Sequence, residues 1–187
     1  EALARALLSQ GLFHSGGERA CNQALGMARR ILNDDPASSV ALILAGLALV
    51  GLDRTESAAR YLDQAARIDS ERADLRLALG ALERQRNDLG AAVRQLEHAC
   101  RLAPDAWEPH ILLGRALMHL ARRRNHPRRM VERAQFHLIQ ALQKDPSAGQ
   151  LPAILKDLGV SCMLTGRYHE AERFFVRLRE KPRHATL

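Results

Sequence analysis

Apolar residues recur along the chain at the three- and four-residue spacing of helices, in paired segments separated by short polar breaks. Leu42, Leu44, Ala45, Ala48 and Leu49 form one such stripe, and Ala58, Tyr61, Leu62, Ala65 and Ile68 form the next. That spacing places each set on one side of a helix. The pairs repeat. Gly46, Gly80 and Gly114 lie 34 residues apart, with Gly11 35 before them and Gly159 45 after. Ala24, Ala58, Ala92, Ala134 and Ala171 make a second series, and Ala65, Ala99 and Ala141 a third. Pro36, Ser70, Pro104 and Pro146 punctuate the end of each unit. The pattern predicts five repeats, each a first helix (helix A) and an antiparallel second helix (helix B), over about 1–36, 37–70, 71–104, 105–146 and 147–182. No alternating apolar-polar run or Asn-Gly hairpin points to a sheet.

The small residues have a physical purpose in this reading. A glycine in helix A lets helix B of the same repeat come close, and the alanines of helix B let the next helix A dock. Larger side chains would push the axes beyond the ~8–10 Å of packed helices. Proline ends helix B because its ring clashes with the preceding turn. A two-helix unit cannot bury its apolar face alone, so successive units stack, predicting an all-α solenoid in a single domain over 1–187.

Leu79-Gly80, Leu113-Gly114 and Leu158-Gly159, with Ala45-Gly46 close behind, are followed by the helix B pairs Ala58/Leu62, Ala92/Leu96, Ala134/Leu138 and Ala171/Phe175. The last repeat also carries a Gly166-Arg167-Tyr168 turn. On these residues the chain resembles the tetratricopeptide repeat (TPR) family over essentially its whole length. The resemblance implies a right-handed superhelix whose concave groove, lined by helix A, receives a protein or peptide. Leu49, Glu83, Leu117 and Cys162 stand where the family has an aromatic residue, and the fourth repeat is about eight residues too long. Pro152 suits the first turn of the last helix A.

Carried over by register, the groove positions are Val40, Ile43, Leu47 and Val50; then Asp74, Leu77, Ala81 and Arg84; then Glu108, Ile111, Arg115, Met118 and His119; then Lys156, Val160 and Met163. Its middle is apolar, and an exposed apolar strip marks a binding site that an amphipathic helix can fill. On that reading a glutamate at Leu47 or Leu77 removes partner binding and leaves the helices intact. Turned by one residue, the same stripe is core. Carboxylate capture of the kind that chaperone-binding TPR arrays perform needs charged donors; Leu8, Ile43, Leu77 and Ile111, with Leu12, Leu47 and Ala81, offer none.

The chain has 187 residues, a net charge of +7 and a hydrophobic fraction of 47%. The segment 121–133 holds Arg122, Arg123, Arg124, Arg128, Arg129 and Arg133 against Glu132, and 167–183 carries six basic against three acidic residues. Basic character is therefore local. The arginine segment reads either as a solvated helix extension turning at Asn125-His126-Pro127, or as a basic loop for phosphate, an acidic peptide or an anionic membrane surface. No aromatic residue interleaves these arginines, which disfavours nucleic acid stacking.

Cys21, Cys100 and Cys162 are scattered and lack a CxxC, so they read as small apolar residues. No phosphate-binding glycine loop, HExxH or GxSxG is present, and the histidines lack ligand spacing. Neither catalysis nor a metal or cofactor is expected. Arginine-dominated basic charge with abundant alanine and leucine suggests a GC-rich bacterial genome. The chain starts at Glu1 without a basic-then-apolar leader, which reads as an excised or processed piece; a cytoplasmic setting is expected, with the periplasm as the alternative. Phe174, Phe175 and Leu178 are expected to leave an uncovered apolar face after Pro182, open to self-association. The function expected is a non-enzymatic adaptor or scaffold in a bacterial secretion, pilus, motility or polarity complex. Its groove would take a partner helix or a small GTPase-type regulator. The alternative is a binder of nucleic acid or an anionic surface through Arg122, Arg123, Arg124, Arg128 and Arg129.

Overall fold

The structure, a computed structural model, describes residues 17–125, 128–144 and 151–179. Among them are nine α-helices and no strand: α1 Glu18–Asp34, α2 Ser39–Gly51, α3 Thr55–Ile68, α4 Ala73–Gln85, α5 Leu89–Leu102, α6 Glu108–Arg123, α7 Arg128–Lys144, α8 Leu151–Leu164 and α9 Tyr168–Arg179. Helix A of the first expected repeat, with Leu8, Gly11 and Leu12, lies outside the described residues, as do His126, Pro127, Pro146 and Pro182. The chain divides into two compact units, Glu1–Pro104 and Asp105–Leu187, parting at the boundary between the third and fourth repeats. In the first unit α2 packs on α3 and α4 on α5, while α1 packs on α2, and α4 on both α2 and α3. In the second, α6 packs on α7 and α8 on α9, and α8 also meets α6 and α7.

Each hairpin closes on its helix A glycine. A Cβ built on Gly46 would lie 2.5 Å from Leu62 Cδ2, on Gly80 2.5 Å from Leu96 Cγ, on Gly114 2.8 Å from Leu138 Cγ and on Gly159 2.6 Å from Phe175 Cζ. A helix B side chain thus occupies the space a helix A side chain would need. The alanine series answers from the other side: Ala24, Ala58, Ala65, Ala92, Ala99, Ala134 and Ala141 are fully buried and Ala171 nearly so.

The A-to-B turns share one geometry. Asp53, Asn87, Asn125 and Gly166 have φ of 58°, 66°, 58° and 75°. In this left-handed region Gly, Asn and Asp are the residues best tolerated. In three of the turns the amide one residue beyond reaches back over the helix end, Arg54 N to Leu49 O, Asp88 N to Glu83 O and Arg167 N to Cys162 O, each at 2.9 Å. That is the Schellman pattern, which satisfies carbonyls the helix leaves open. Two of the B-to-A turns use the same Asx bond, Ala37 N donating to Asp35 Oδ1 and Glu71 N to Asp69 Oδ1, both at 3.1 Å.

The long fourth repeat spends its extra residues on helix. α6 and α7 run 16 and 17 residues, against 13 and 14 for α2 and α3. Arg122 and Arg123 fall in the last turn of α6, where the helix dipole favours positive charge. Arg128, Arg129 and Arg133 fall in α7. The expected basic loop is therefore two helix ends around a short turn, because arginine is a good helix former.

Gly80→Ala is expected to destabilise the protein by about 1–3 kcal/mol by overpacking, although alanine in a helix is intrinsically favoured over glycine by ~1 kcal/mol. The same change at Gly26 of α1, where no described atom lies within 4 Å of the built Cβ, should stabilise. Urea unfolding followed by circular dichroism checks the opposite signs. In a Leu96→Ala background the cost at Gly80 should shrink, because the two residues share the space.

Candidate functional site

The helix A surfaces do not match the expected strip throughout. Ile43 is 1% exposed and Leu47 7%, and Val50, Ala81, Ile111 and Met118 are also buried. For α2 the reason is composition: every residue from Ala41 to Val50 is buried, and a helix apolar on all sides has no face to give to water. α2 accordingly packs against α1, α3 and α4. These six residues are core rather than an open groove, and a glutamate at Leu47 would threaten folding instead of leaving it intact.

The other expected positions stay accessible. In the first unit, Leu77 and Arg84 on α4 are half-buried, and the Arg72–Asp74 pair, whose two bonds measure 3.0 and 2.8 Å, sits at the start of the helix. In the second unit, Arg115 of α6 donates from Nε to Asp157 Oδ2 of α8 at 2.6 Å, with both side chains about three-quarters covered. This charge-assisted bond fixes α8 against α6. On α8, Lys156 is exposed, Val160 half-buried and Met163 50% exposed. Their spacing of four and three residues aligns them along one side of the helix. The second unit thus brings Arg115, Lys156, Val160 and Met163 onto one helix A surface, with His119 exposed on α6.

Cys21 and Cys162 behave as small apolar groups. Cys21 and Cys162 are buried, Cys100 is half-buried, and no disulfide joins any of the three. Burial raises the Cys21 and Cys162 thiols above their ordinary range, at Cys162 against the opposing pull of Arg167; neither is poised as a nucleophile. Around Cys162 a polar knot ties the hairpins together. Gln135 of α7 is buried, its amide lies 3.8 Å from Cys162 Sγ, and its carbonyl accepts from Arg167. Phe175 seats on Gly159, while Phe174 and Leu178 are half-buried. Phe175 is half-buried as well, with one edge of its ring turned into its own hairpin.

Two features went unread in the sequence. His110 of α6 and His137 of α7, 27 residues apart, meet with their Nδ1 atoms 3.0 Å from each other, one donating and one accepting. The contact needs the α6–α7 packing, so sequence spacing holds no sign of it. Phe136 and Ile139 of α7 are 58% and 41% exposed. They lie opposite Ala134, Leu138 and Ala141, the repeat series that sets the buried side, so the register already implied their exposure.

Burial, then the positive charge of His110 and Arg133, lowers His137 from 6.5 to about 4. Between those values the unfolded chain binds a proton there that the folded chain does not, so stability should fall as pH drops from about 6.5 to about 4. Melting temperature against pH in metal-free buffer should show that slope, and His137→Gln should flatten it.

No protein-family model matches the sequence, and comparison with curated proteins gives no match. Solved structures do resemble it. MamA from Desulfovibrio magneticus RS-1, residues 41 to the end, superposes with a TM-score of 0.66 at 18% identity, covering 100% of this chain and 97% of that one. YrrB, a TPR protein with an unusual peptide-binding site, gives 0.61 at 18% identity over 98% and 94%. Human IFIT1, in a dimer with PPP-AAAA, gives 0.72 at 17% identity over 94% of this chain and 40% of its own. With the glycine-seated hairpins, these likenesses establish the fold as an all-α solenoid of tetratricopeptide-type repeats.

Proposed function

We propose that this chain is a non-enzymatic protein-interaction module whose helix A surface in the second unit receives a peptide segment of a partner protein. The observation that carries the reading is the contrast between helices of one register. α2 buries its apolar stripe, whereas α8 leaves Val160 and Met163 accessible beside Lys156. An unbranched thioether adapts to varied apolar side chains, Lys156 suits an acidic group flanking such an anchor, and Asp157 holds Arg115 in place. The peptide-binding site reported for YrrB, a protein of the same fold, supports this class of ligand. The setting we propose is a bacterial secretion, pilus, motility or polarity assembly.

Peptides selected from a random library on the intact protein give the test. Met163→Glu should weaken their binding by about tenfold, as expected for charging an anchor. Lys156→Glu should cost about two- to fivefold, the scale of an exposed ion pair. Far-UV circular dichroism should be unchanged in both. Selected peptides that bind both variants as they bind the parent would sink the proposal. Leu47→Glu, by contrast, should lose helical signal.

A further inference from the structure

The second unit carries another surface, on helix B rather than helix A. α7 is buried along Val131, Ala134, Gln135, Leu138 and Ala141. On a helical wheel of 100° per residue, Phe136 falls opposite the centre of that stripe. Ile139, Arg129, Glu132 and Arg133 flank it, and all five are exposed. A phenylalanine 58% exposed with an isoleucine 41% exposed one turn on is an unusual outward face for helix B, whose equivalents in α3 include Arg60 and Asp63. Arginines crowd the N-terminal half of α7, and Arg129 and Arg133 share the outward face with Phe136. Arg122, Arg123, Arg124, Arg128 and Arg129 are all exposed. Glu132, the one acid in 121–133, is held by Arg128 at 2.8 Å. Six arginines against that glutamate leave +5 here, out of +7 for the chain.

We propose that this face of α7, with the arginine-rich end of α6, docks on an anionic phospholipid surface. The charge complements phosphate and carboxylate headgroups. Arginine keeps its charge at any pH, offers five donors, and can lay its stem along apolar surface while its head stays in the headgroup layer. Phe136 and Ile139 supply the shallow apolar insertion that an interfacial helix needs. That pair distinguishes a bilayer from nucleic acid, where Ile139 would find no counterpart and Phe136 would be the one stacking ring. The proposal is independent of the α8 surface, which lies on a different helix and holds its apolar anchors beside a single lysine.

The experiment is co-sedimentation of the intact protein with vesicles. Phosphatidylcholine vesicles with about 30% phosphatidylserine should pull the protein down at low salt, and pure phosphatidylcholine should not. The bound fraction should fall severalfold between about 50 and 200 mM salt, as screening requires. Arg128→Glu with Arg129→Glu should abolish sedimentation. Phe136→Ser with Ile139→Ser should weaken it by about tenfold and leave the remainder more salt-sensitive. All four positions are exposed, so circular dichroism should match the parent. Arg54→Glu with Arg60→Glu, removing the same charge from the first unit, should bind like the parent. Equal binding to neutral vesicles, or parent-like binding by the Arg128/Arg129 variant, overturns the proposal. So does a labelled single-stranded oligonucleotide or acidic peptide that binds through these residues when anionic vesicles do not.

Discussion

The described hairpins rest on one steric constraint, the absence of a Cβ where helix A crosses helix B. At Gly46, Gly80, Gly114 and Gly159 the missing atom would stand 2.5 to 2.8 Å from a helix B side chain, inside the distance at which carbon atoms repel. The partner is Leu62, Leu96, Leu138 or Phe175, always the large residue four positions after a buried alanine. The alanine brings the backbones close and the large residue fills the glycine gap. The intrinsic cost of glycine in a helix, ~1 kcal/mol, is offset by dense packing at the crossing. Where that partner becomes phenylalanine, in the last hairpin, its ring still seats on the glycine.

Polar chemistry is arranged around this packing. Left-handed Asp53, Asn87, Asn125 and Gly166 turn each hairpin. The residues differ because the backbone angle is what the turn requires, and three side-chain types tolerate it. Between hairpins of the second unit, Arg115–Asp157 and Gln135–Arg167 join neighbouring repeats through polar bonds. Such bonds are directional where apolar contact is not, so they fix register as well as proximity.

The distribution of exposed apolar side chains separates surfaces that otherwise share one architecture. α2 has surrendered its outward face to the core. α8 retains an accessible Val160–Met163 stripe, and α7 shows Phe136 and Ile139 on the face that also carries Arg129 and Arg133. The fourth repeat accommodates its extra length without disturbing the glycine contact, because the added residues extend both helices beyond the crossing point at Gly114. Charge placed there is held at the edge of the packed region, where water screens it and a partner can reach it.

The repeat, the helix pairing and the identity of the small residues at the crossings were legible in the sequence, because steric exclusion acts at fixed positions and leaves a 34-residue trace. Exposure was legible only in part. Register alone put Ile43, Leu47 and Val50 on the groove side; their burial came from α2 packing against three helices, a property of neighbours. The same holds for His110 and His137, whose contact depends on how α6 lies against α7, and for Arg115 and Asp157, 42 residues apart. Local spacing decides which side of a helix a residue occupies. Only tertiary packing decides what that side meets, because burial depends on atoms distant in the chain.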